Sequence, residues 1–92
     1  RRLNELIIDA KRVIYALEQA LQSDGNELLS KNENDKIVEK LTSLKATLKS
    51  KDSSLIEQNI NELESVSEFY VERRMNSSIK SLIAGKGIDD IL

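Results

Sequence analysis

Histidine and cysteine are both missing from this 92-residue sequence. Without cysteine the chain can form no disulfide, and it offers no thiolate to a metal or a substrate. Without histidine it lacks the side chain most often used as a general base or zinc ligand, which leaves carboxylates alone for either task. We therefore expect no catalytic site, no metal site and no cofactor of its own in this chain.

Proline and tryptophan are absent as well, and the sequence holds three glycines, two tyrosines and one phenylalanine. Strands and tight turns draw on aromatic residues, glycine and proline, whereas the abundant leucine, glutamate and lysine favour helices. A chain of this length forms one small domain with a thin core. The composition therefore predicts an all-α fold.

Neither sign of charge dominates, because 14 basic and 16 acidic residues are mixed along the chain and give a net charge of −2. No basic stripe is available to neutralise phosphates, so we expect no nucleic acid as a partner. No apolar run approaches the roughly 20 residues that span a bilayer, and no signal peptide is visible. We expect a cytoplasmic protein with no membrane contact, and the first residue, Arg1, suggests a piece of a longer chain.

Apolar residues recur at alternating spacings of four and three in three stretches, which predicts three amphipathic helices. We expect them at about 3–22, 34–50 and 53–84, with Gly85 ending the third and a tail at 85–92. The stripes are Leu3, Ile7, Ala10, Ile14, Leu17 and Leu21 in the first helix, and Ile37, Leu41, Leu44 and Leu48 in the second. Short connections favour an antiparallel up-down-up three-helix bundle with a long or kinked C-terminal helix.

The end of the first helix is expected at the run Asp24-Gly25-Asn26, since these residues tolerate the left-handed conformation that stops a helix. Leu28 and Leu29 would then lie in a connecting loop. From that position their side chains would cover the end of the hydrophobic core.

Polar residues mark the beginnings of the other two helices. Ser30 and Glu33 have the spacing of a capping box, and Asn34 and Asp35 are alternative caps further along. Asp52 can accept hydrogen bonds from the free N–H groups of the third helix. The second helix is therefore expected to begin between residues 31 and 36, and the third at 53.

The apolar stripe of the third helix changes sides halfway along. One face is formed by Leu55, Ile56, Ile60, Leu63, Val66 and Tyr70. A second face, rotated by roughly 160° at 100° per residue, is formed by Met75, Ile79, Leu82 and Ile83, which we call the C-terminal stripe. Either a kink near residues 73–78 folds the end back over Leu28 and Leu29, or the stripe is a surface for docking or self-association. On the second interpretation we expect the chain to form a homodimer.

A weaker patch lies on the first helix, away from its bundle stripe. It consists of Arg1, Asn4, Ile8 and Tyr15. We name the first helix, expected at about 3–22, α1 and call these four residues the α1 patch. Because the first helix is longer than the second, its beginning is expected to project from the bundle and to contact a neighbouring domain. The alternative is the ordinary scatter of single apolar residues over a surface.

The charged residues form no arrangement that is specific for catalysis. Glu62, Glu64 and Glu68 lie close together on the third helix, but neighbouring carboxylates on a solvated surface are ordinary. Arg73 and Arg74 are interpreted as pointing into water, with a clamp on an acidic partner as the alternative. The chain is therefore not expected to be an enzyme.

Residues 69–80 read Phe-Tyr-Val-Glu-Arg-Arg-Met-Asn-Ser-Ser-Ile-Lys and lead to Gly85 and to Ile-Asp-Asp-Ile at 88–91. This run resembles the Phe-x-x-x-Arg-Arg-Met ending of the HscA branch of the 70-kDa heat-shock chaperones, in the DnaK superfamily, which is dedicated to iron–sulfur cluster assembly. Residues 44–49, 52–57 and 63–67 resemble the C-terminal lid of these chaperones in general, and residues 10–17 resemble the lid of the HscA branch. The resemblance covers nearly the whole chain.

The resemblance implies that residues 1–92 are the helical lid of a longer chaperone, which also has an ATPase domain and a β-sandwich peptide-binding subdomain. ATP and Mg would be bound in the ATPase domain, where a J-domain co-chaperone stimulates hydrolysis. In the ADP state the lid would close over a bound peptide of an iron–sulfur scaffold protein. Arg1, Asn4 and Ile8 would lie nearest the sandwich, and Asn4 stands at the position aligned with the family's acidic latch residue.

Two other functions remain open from the sequence. The chain is then either the lid of a general DnaK-type protein-folding chaperone, or a free-standing helical adaptor or dimerisation module that uses the C-terminal stripe. A β-sandwich and an ATPase pattern upstream of Arg1 would favour the lid.

Overall fold

The computed structural model describes residues 2–86, with side chains described for residues 2–83. Helix α1 spans Arg2–Ala20 and continues through a π-helical turn, Leu21–Gly25, into the short helix α2, Asn26–Leu28. Helix α3 spans Lys31–Leu48, and helix α4 spans Ser53–Lys86. The predicted all-α bundle with a long C-terminal helix is confirmed. Arg1 and residues 87–92 lie outside the described residues.

Ion pairs between the helices define an up-down-up arrangement. Arg2 on the first turn of α1 lies 2.8 Å from the carboxylate of Glu57 near the start of α4, so these two helices run in parallel. Glu33 at the start of α3 pairs with Arg73 far along α4, whereas Lys40, later in α3, pairs with Glu62, earlier in α4, so α3 runs antiparallel to these two helices. The start of α1 is thus tied to the start of α4. At its beginning α1 therefore lies beside α4, and its expected overhang beyond the shorter second helix stays a prediction.

The core consists of the inward stripes of all three long helices. Its buried residues are Ala10, Ile14, Leu17 and Ala20 of α1, Leu29, then Ile37, Leu41 and Leu44 of α3, and Ile56, Ile60, Leu63 and Tyr70 of α4. The predicted stripes are therefore confirmed, except that Leu55 is 40% exposed because its neighbour Ile56 takes the inward position. Ser67 is the buried polar residue of this core, and its hydroxyl donates to the carbonyl of Leu63 at 2.7 Å.

The first helix does not stop at Asp24-Gly25-Asn26, contrary to the sequence prediction. Gly25 keeps right-handed helical angles (φ −56°, ψ −42°), and its carbonyl accepts from Leu29 N–H at 3.0 Å. The π-helical turn accommodates one extra residue per turn and so continues the helix. A Cβ on Gly25 would stand 3.3 Å from the Leu21 side chain, so the glycine serves close packing here. Leu28 consequently lies in a helix, and Leu29 is the extended, buried residue that follows.

Helix α3 begins three residues earlier than the expected 34–50, at the capping box of Ser30 and Glu33. The Ser30 hydroxyl accepts from Glu33 N–H at 3.2 Å, and the Glu33 carboxylate accepts from Ser30 N–H at 2.9 Å. Both bonds satisfy N–H groups that the helix itself leaves free. The later caps, Asn34 and Asp35, are thereby excluded. Asp52 caps α4 as predicted, since its side chain accepts from Leu55 N–H at 3.1 Å.

Helix α4 runs without interruption over 34 residues, a length of about 51 Å at 1.5 Å per residue. The interpretation in which a kink near residues 73–78 folds its end over the bundle is therefore wrong. The helix also passes through Gly85, which does not end it. The molecule measures 55 × 30 × 18 Å, so α4 alone accounts for its long dimension. Of the helices described, none combines the length and the apolar character that crossing a bilayer requires.

The continuous α4 allows a matched test of where the bundle ends, since Leu63 is fully buried and Leu82 is 62% exposed on the same helix. Leu63→Ala is expected to lower the free energy of unfolding by about 2–5 kcal/mol, because it leaves a cavity in the core. Leu82→Ala should change it by less than about 0.5 kcal/mol. Urea denaturation followed by circular dichroism measures both values. A wild-type chain with a random-coil spectrum, or equal losses for the two variants, would contradict this fold.

Candidate functional site

A polar cluster joins the end of α1 to α4 at the point where the core ends. Asp24, in the π-helical turn, accepts a hydrogen bond from the hydroxyl of Tyr70 and, on its other oxygen, one from Arg74 Nε at 2.7 Å. Tyr70 and Arg74 stand one turn apart on α4, so a single carboxylate receives both donors. The ring of Tyr70 is fully buried, whereas the Asp24 side chain is 22% exposed.

A second cluster joins α4 to the start of α3. The guanidinium of Arg73 donates to both oxygens of Glu33, at 2.7 and 3.0 Å, and also to the carbonyl of Leu28 at 2.8 Å. It lies 4.7 Å from the centroid of the Phe69 ring, which is a favourable cation–π distance. Arg73 therefore fixes the short connection between α2 and α3 against the third long helix.

These contacts shift the pKa values of their acidic groups. The hydrogen bond from Arg73, and next the one from the Ser30 backbone, lower the pKa of Glu33 to about 2. Partial burial would raise the pKa of Asp24, but hydrogen bonds from Arg74 and Tyr70 outweigh it and leave that pKa below its ordinary value. Burial, and next the bond to Asp24, raise the pKa of Tyr70 well above its usual range. All three groups thus keep one protonation state near neutral pH.

The interpretation of Arg73 and Arg74 as water-facing residues was wrong, because each pairs with an acidic residue of the same chain. Arg73 is partly exposed, but it lies within reach of α3, and Arg74 within reach of α1. The sequence contained a usable signal: an aromatic residue precedes each arginine by four positions, which places each pair on one face of a helix. The acidic partners lie 40 and 50 residues away in sequence, and no local pattern indicates them.

The α1 patch lies on the outer surface of the bundle. Ile8 is 65% exposed and Tyr15 is 67% exposed, and Asn4 on the same face is exposed too. Arg12 between them pairs with Asp9, which leaves the apolar parts of Ile8 and Tyr15 uncovered. Arg1, the fourth predicted member, lies outside the described residues.

The C-terminal stripe is also uncovered. Met75, Ile79, Leu82 and Ile83 are 48–62% exposed, and they lie on the part of α4 beyond Tyr70, the last core residue of that helix. Four neighbouring apolar side chains on one helix form a larger exposed patch than the single apolar residues that are common on protein surfaces. The sequence prediction placed these residues correctly, whereas their role in docking or self-association stays a prediction.

The described residues contain no group of three or more acidic side chains placed to hold a metal ion. Of the acidic residues on α4, Glu62 is paired with Lys40 at 3.0 Å, while Glu64 and Glu68 are exposed. The described surface thus offers contact areas and ion pairs. It presents no assembled nucleophile with a base.

Sequence comparison finds relatives that are chaperones. The chain is 36% identical over 91 residues to the chaperone protein HscA homolog of Vibrio parahaemolyticus, 37% to that of Vibrio cholerae and 34% to that of Pseudomonas putida. Each match covers 99% of this chain and 15% of the relative, in the relative's C-terminal region. No family model and no solved structure matches the chain.

The Tyr70 hydroxyl can be tested against a tyrosine that makes no such contact. Tyr70→Phe keeps the buried ring but removes a hydrogen bond to a charged group, and should lower the free energy of unfolding by about 1–3 kcal/mol. Tyr15→Phe, at an exposed position, should leave it unchanged within about 0.5 kcal/mol. Urea denaturation at neutral pH compares them, and equal losses would show that the Asp24 contact contributes nothing.

The Arg73–Glu33 pair should stabilise the fold only while Glu33 is ionised. Since its pKa falls from 4.5 unfolded to about 2 folded, its contribution should be complete above about pH 5 and lost progressively as the pH drops towards 2. A double-mutant cycle with Glu33→Gln and Arg73→Gln, measured by urea denaturation at pH 7 and pH 2, gives the coupling energy. Glutamine keeps the capping box, so the cycle isolates the charge. A coupling energy that is the same at both pH values would refute this assignment.

Proposed function

Because the chain belongs to the HscA-type chaperones, whose C-terminal region it matches over 99% of its length, we propose that it is the helical lid of the substrate-binding domain of such a chaperone. The parent protein assists iron–sulfur cluster assembly in the cytoplasm. The lid closes over a peptide of an iron–sulfur scaffold protein held in the β-sandwich subdomain. ATP and Mg are bound by a separate ATPase domain, on which a J-domain co-chaperone acts.

The observation that carries this proposal is a helical bundle with an uncovered apolar patch on its first helix. Ile8 and Tyr15 lie seven residues apart, two turns along one face of α1, and both are about two-thirds exposed. A lid needs such a face, since it must contact the sandwich when closed and lose that contact when open. The ion pairs of Arg73 and Arg74 support docking as one body, because they tie α4 to both other long helices.

The lid controls peptide release only as far as it docks differently in the two nucleotide states. A face of modest size suits this task, since a permanently docked lid would trap the peptide. Ile8 and Tyr15 supply apolar contact area at a site that is not part of the core. Their exposure is therefore an expected property of the undocked lid.

A chimera tests the proposal in a complete chaperone. Residues 1–92 replace the matching region of the Vibrio cholerae homologue, and the release of a fluorescent scaffold-protein peptide is timed with ADP bound. We expect release as slow as in the natural protein, and release roughly tenfold faster when the region is deleted. Ile8→Asp together with Tyr15→Ala should speed release, whereas Val38→Asp, on the exposed side of α3, should not.

A chimera that is folded by circular dichroism, yet releases the peptide as fast as the deletion variant, would refute the lid function. It would favour the free-standing adaptor. A chimera that retains a general unfolded-protein peptide but not the scaffold peptide would favour the lid of a general DnaK-type chaperone.

A further inference from the structure

An open groove runs between α1 and α4 on the side of the bundle away from α3. Its larger part has a volume of about 1130 Å³, and a second part of about 430 Å³ continues it towards the start of α1. The two parts share Val13 and Ala16 of α1 and Asn61 and Glu64 of α4, so they form one trough. Small residues, Ala16 and Ala20, line its α1 side and leave room for the backbone of another chain to approach.

The apolar lining of this groove continues into the C-terminal stripe. Val71, Met75 and Ile79 line the α4 side and are 47%, 60% and 55% exposed. Leu82 and Ile83 extend the same surface beyond the bundle, where α1 provides no opposite wall. From Glu64 to Ile83 this surface is about 29 Å long, which matches about five turns of a partner helix.

The rim of the groove on α4 is acidic. Glu64, Glu68 and Glu72 line it at intervals of one helical turn, and among the described residues none of them has an ion-pair partner. Like charges at this spacing repel each other and destabilise a helix. The nearby Arg74 is already bound to Asp24. The rim therefore favours cations from outside the bundle.

We propose that this groove is a docking site for a basic amphipathic helix of another protein. That helix would add a fourth member to the three-helix bundle, with its apolar face on Val71, Met75 and Ile79 and its lysine or arginine side chains beside the glutamates. A helix fits the trough because the two walls are themselves parallel helices. This docking goes beyond the lid function and does not depend on it.

Charge argues for such a partner and against a second copy of this chain. Within the described part of the C-terminal stripe, from Met75 to Ile83, Lys80 is the single cation. Two stripes packed on each other would leave most of the acidic rim of each copy without a cationic partner. A basic helix satisfies the apolar lining and the rim together.

The test uses the 92-residue chain and two designed 20-residue helical peptides labelled with a fluorophore. Both peptides carry leucines at spacings of three and four, and the flanking positions, spaced four apart, hold lysine in one peptide and glutamate in the other. Fluorescence anisotropy should show the lysine peptide binding at least about tenfold more tightly than the glutamate peptide, with affinity falling as salt rises. Equal affinities, or no binding of either peptide to the folded chain, would overturn the proposal.

Matched variants locate the site. Glu68→Lys should weaken binding of the lysine peptide by about threefold or more, and Ile79→Asp by about tenfold. Glu39→Lys makes the same change on α3, outside the groove, and should leave affinity unchanged. Equal weakening by Glu68→Lys and Glu39→Lys would overturn the proposal. So would a dimer in sedimentation experiments that Ile79→Asp dissociates and the lysine peptide does not, because a second copy would then occupy the groove.

Discussion

The contact on which the rest of this structure depends is the pair of hydrogen bonds that Asp24 accepts from Tyr70 and Arg74. The carboxylate fixes two successive turns of α4 against the end of α1, across 46 and 50 residues of sequence. Tyr70 is the last core residue of α4, and the apolar side chains that follow it on the C-terminal stripe are exposed. The contact therefore sets the point at which α4 leaves the bundle and becomes a free helix.

The π-helical turn and the two arginines act together at this end of the bundle. The extra residue in the turn lets the helix continue while Asp24 reaches α4, and Gly25, without a Cβ, leaves room for the Leu21 side chain of the same turn. Arg74 pairs with Asp24, in the turn that continues α1. Arg73 lies one position earlier and is therefore rotated by about 100° around α4, so it pairs with Glu33 at the start of α3. The Arg73-Arg74-Met75 run thus has a physical meaning: the two arginines close the bundle, and Met75 begins the uncovered stripe.

Local chemistry made most of the fold predictable from the sequence, because helical stripes and caps depend on neighbours within four residues. Ser30 with Glu33, Asp52, and the inward stripes all behaved as their spacing indicated. The errors arose where distant residues decide the outcome. Gly25 follows an aspartate and precedes an asparagine, a sequence typical of a helix stop, but the bonds that Asp24 accepts from the distant Tyr70 and Arg74 hold this turn against α4. Arg73 and Arg74 looked solvated for the same reason, since their partners are remote in sequence.

If the proposed lid docks through one face of α1 and binds a helix along another, the two events can be coupled through α1. Tyr15 belongs to the docking patch and Ala16 lines the groove, so adjacent residues, about 100° apart around one helix, serve the two surfaces. A bound helix changes lid closure only if it binds the open and closed lids unequally, and closure then changes its affinity by the same factor. Because the arginine clusters tie α4 to the ends of the other two long helices, the proposal places that difference in direct contact or repulsion between the bound helix and the proposed β-sandwich neighbour, rather than in a change of shape within the bundle.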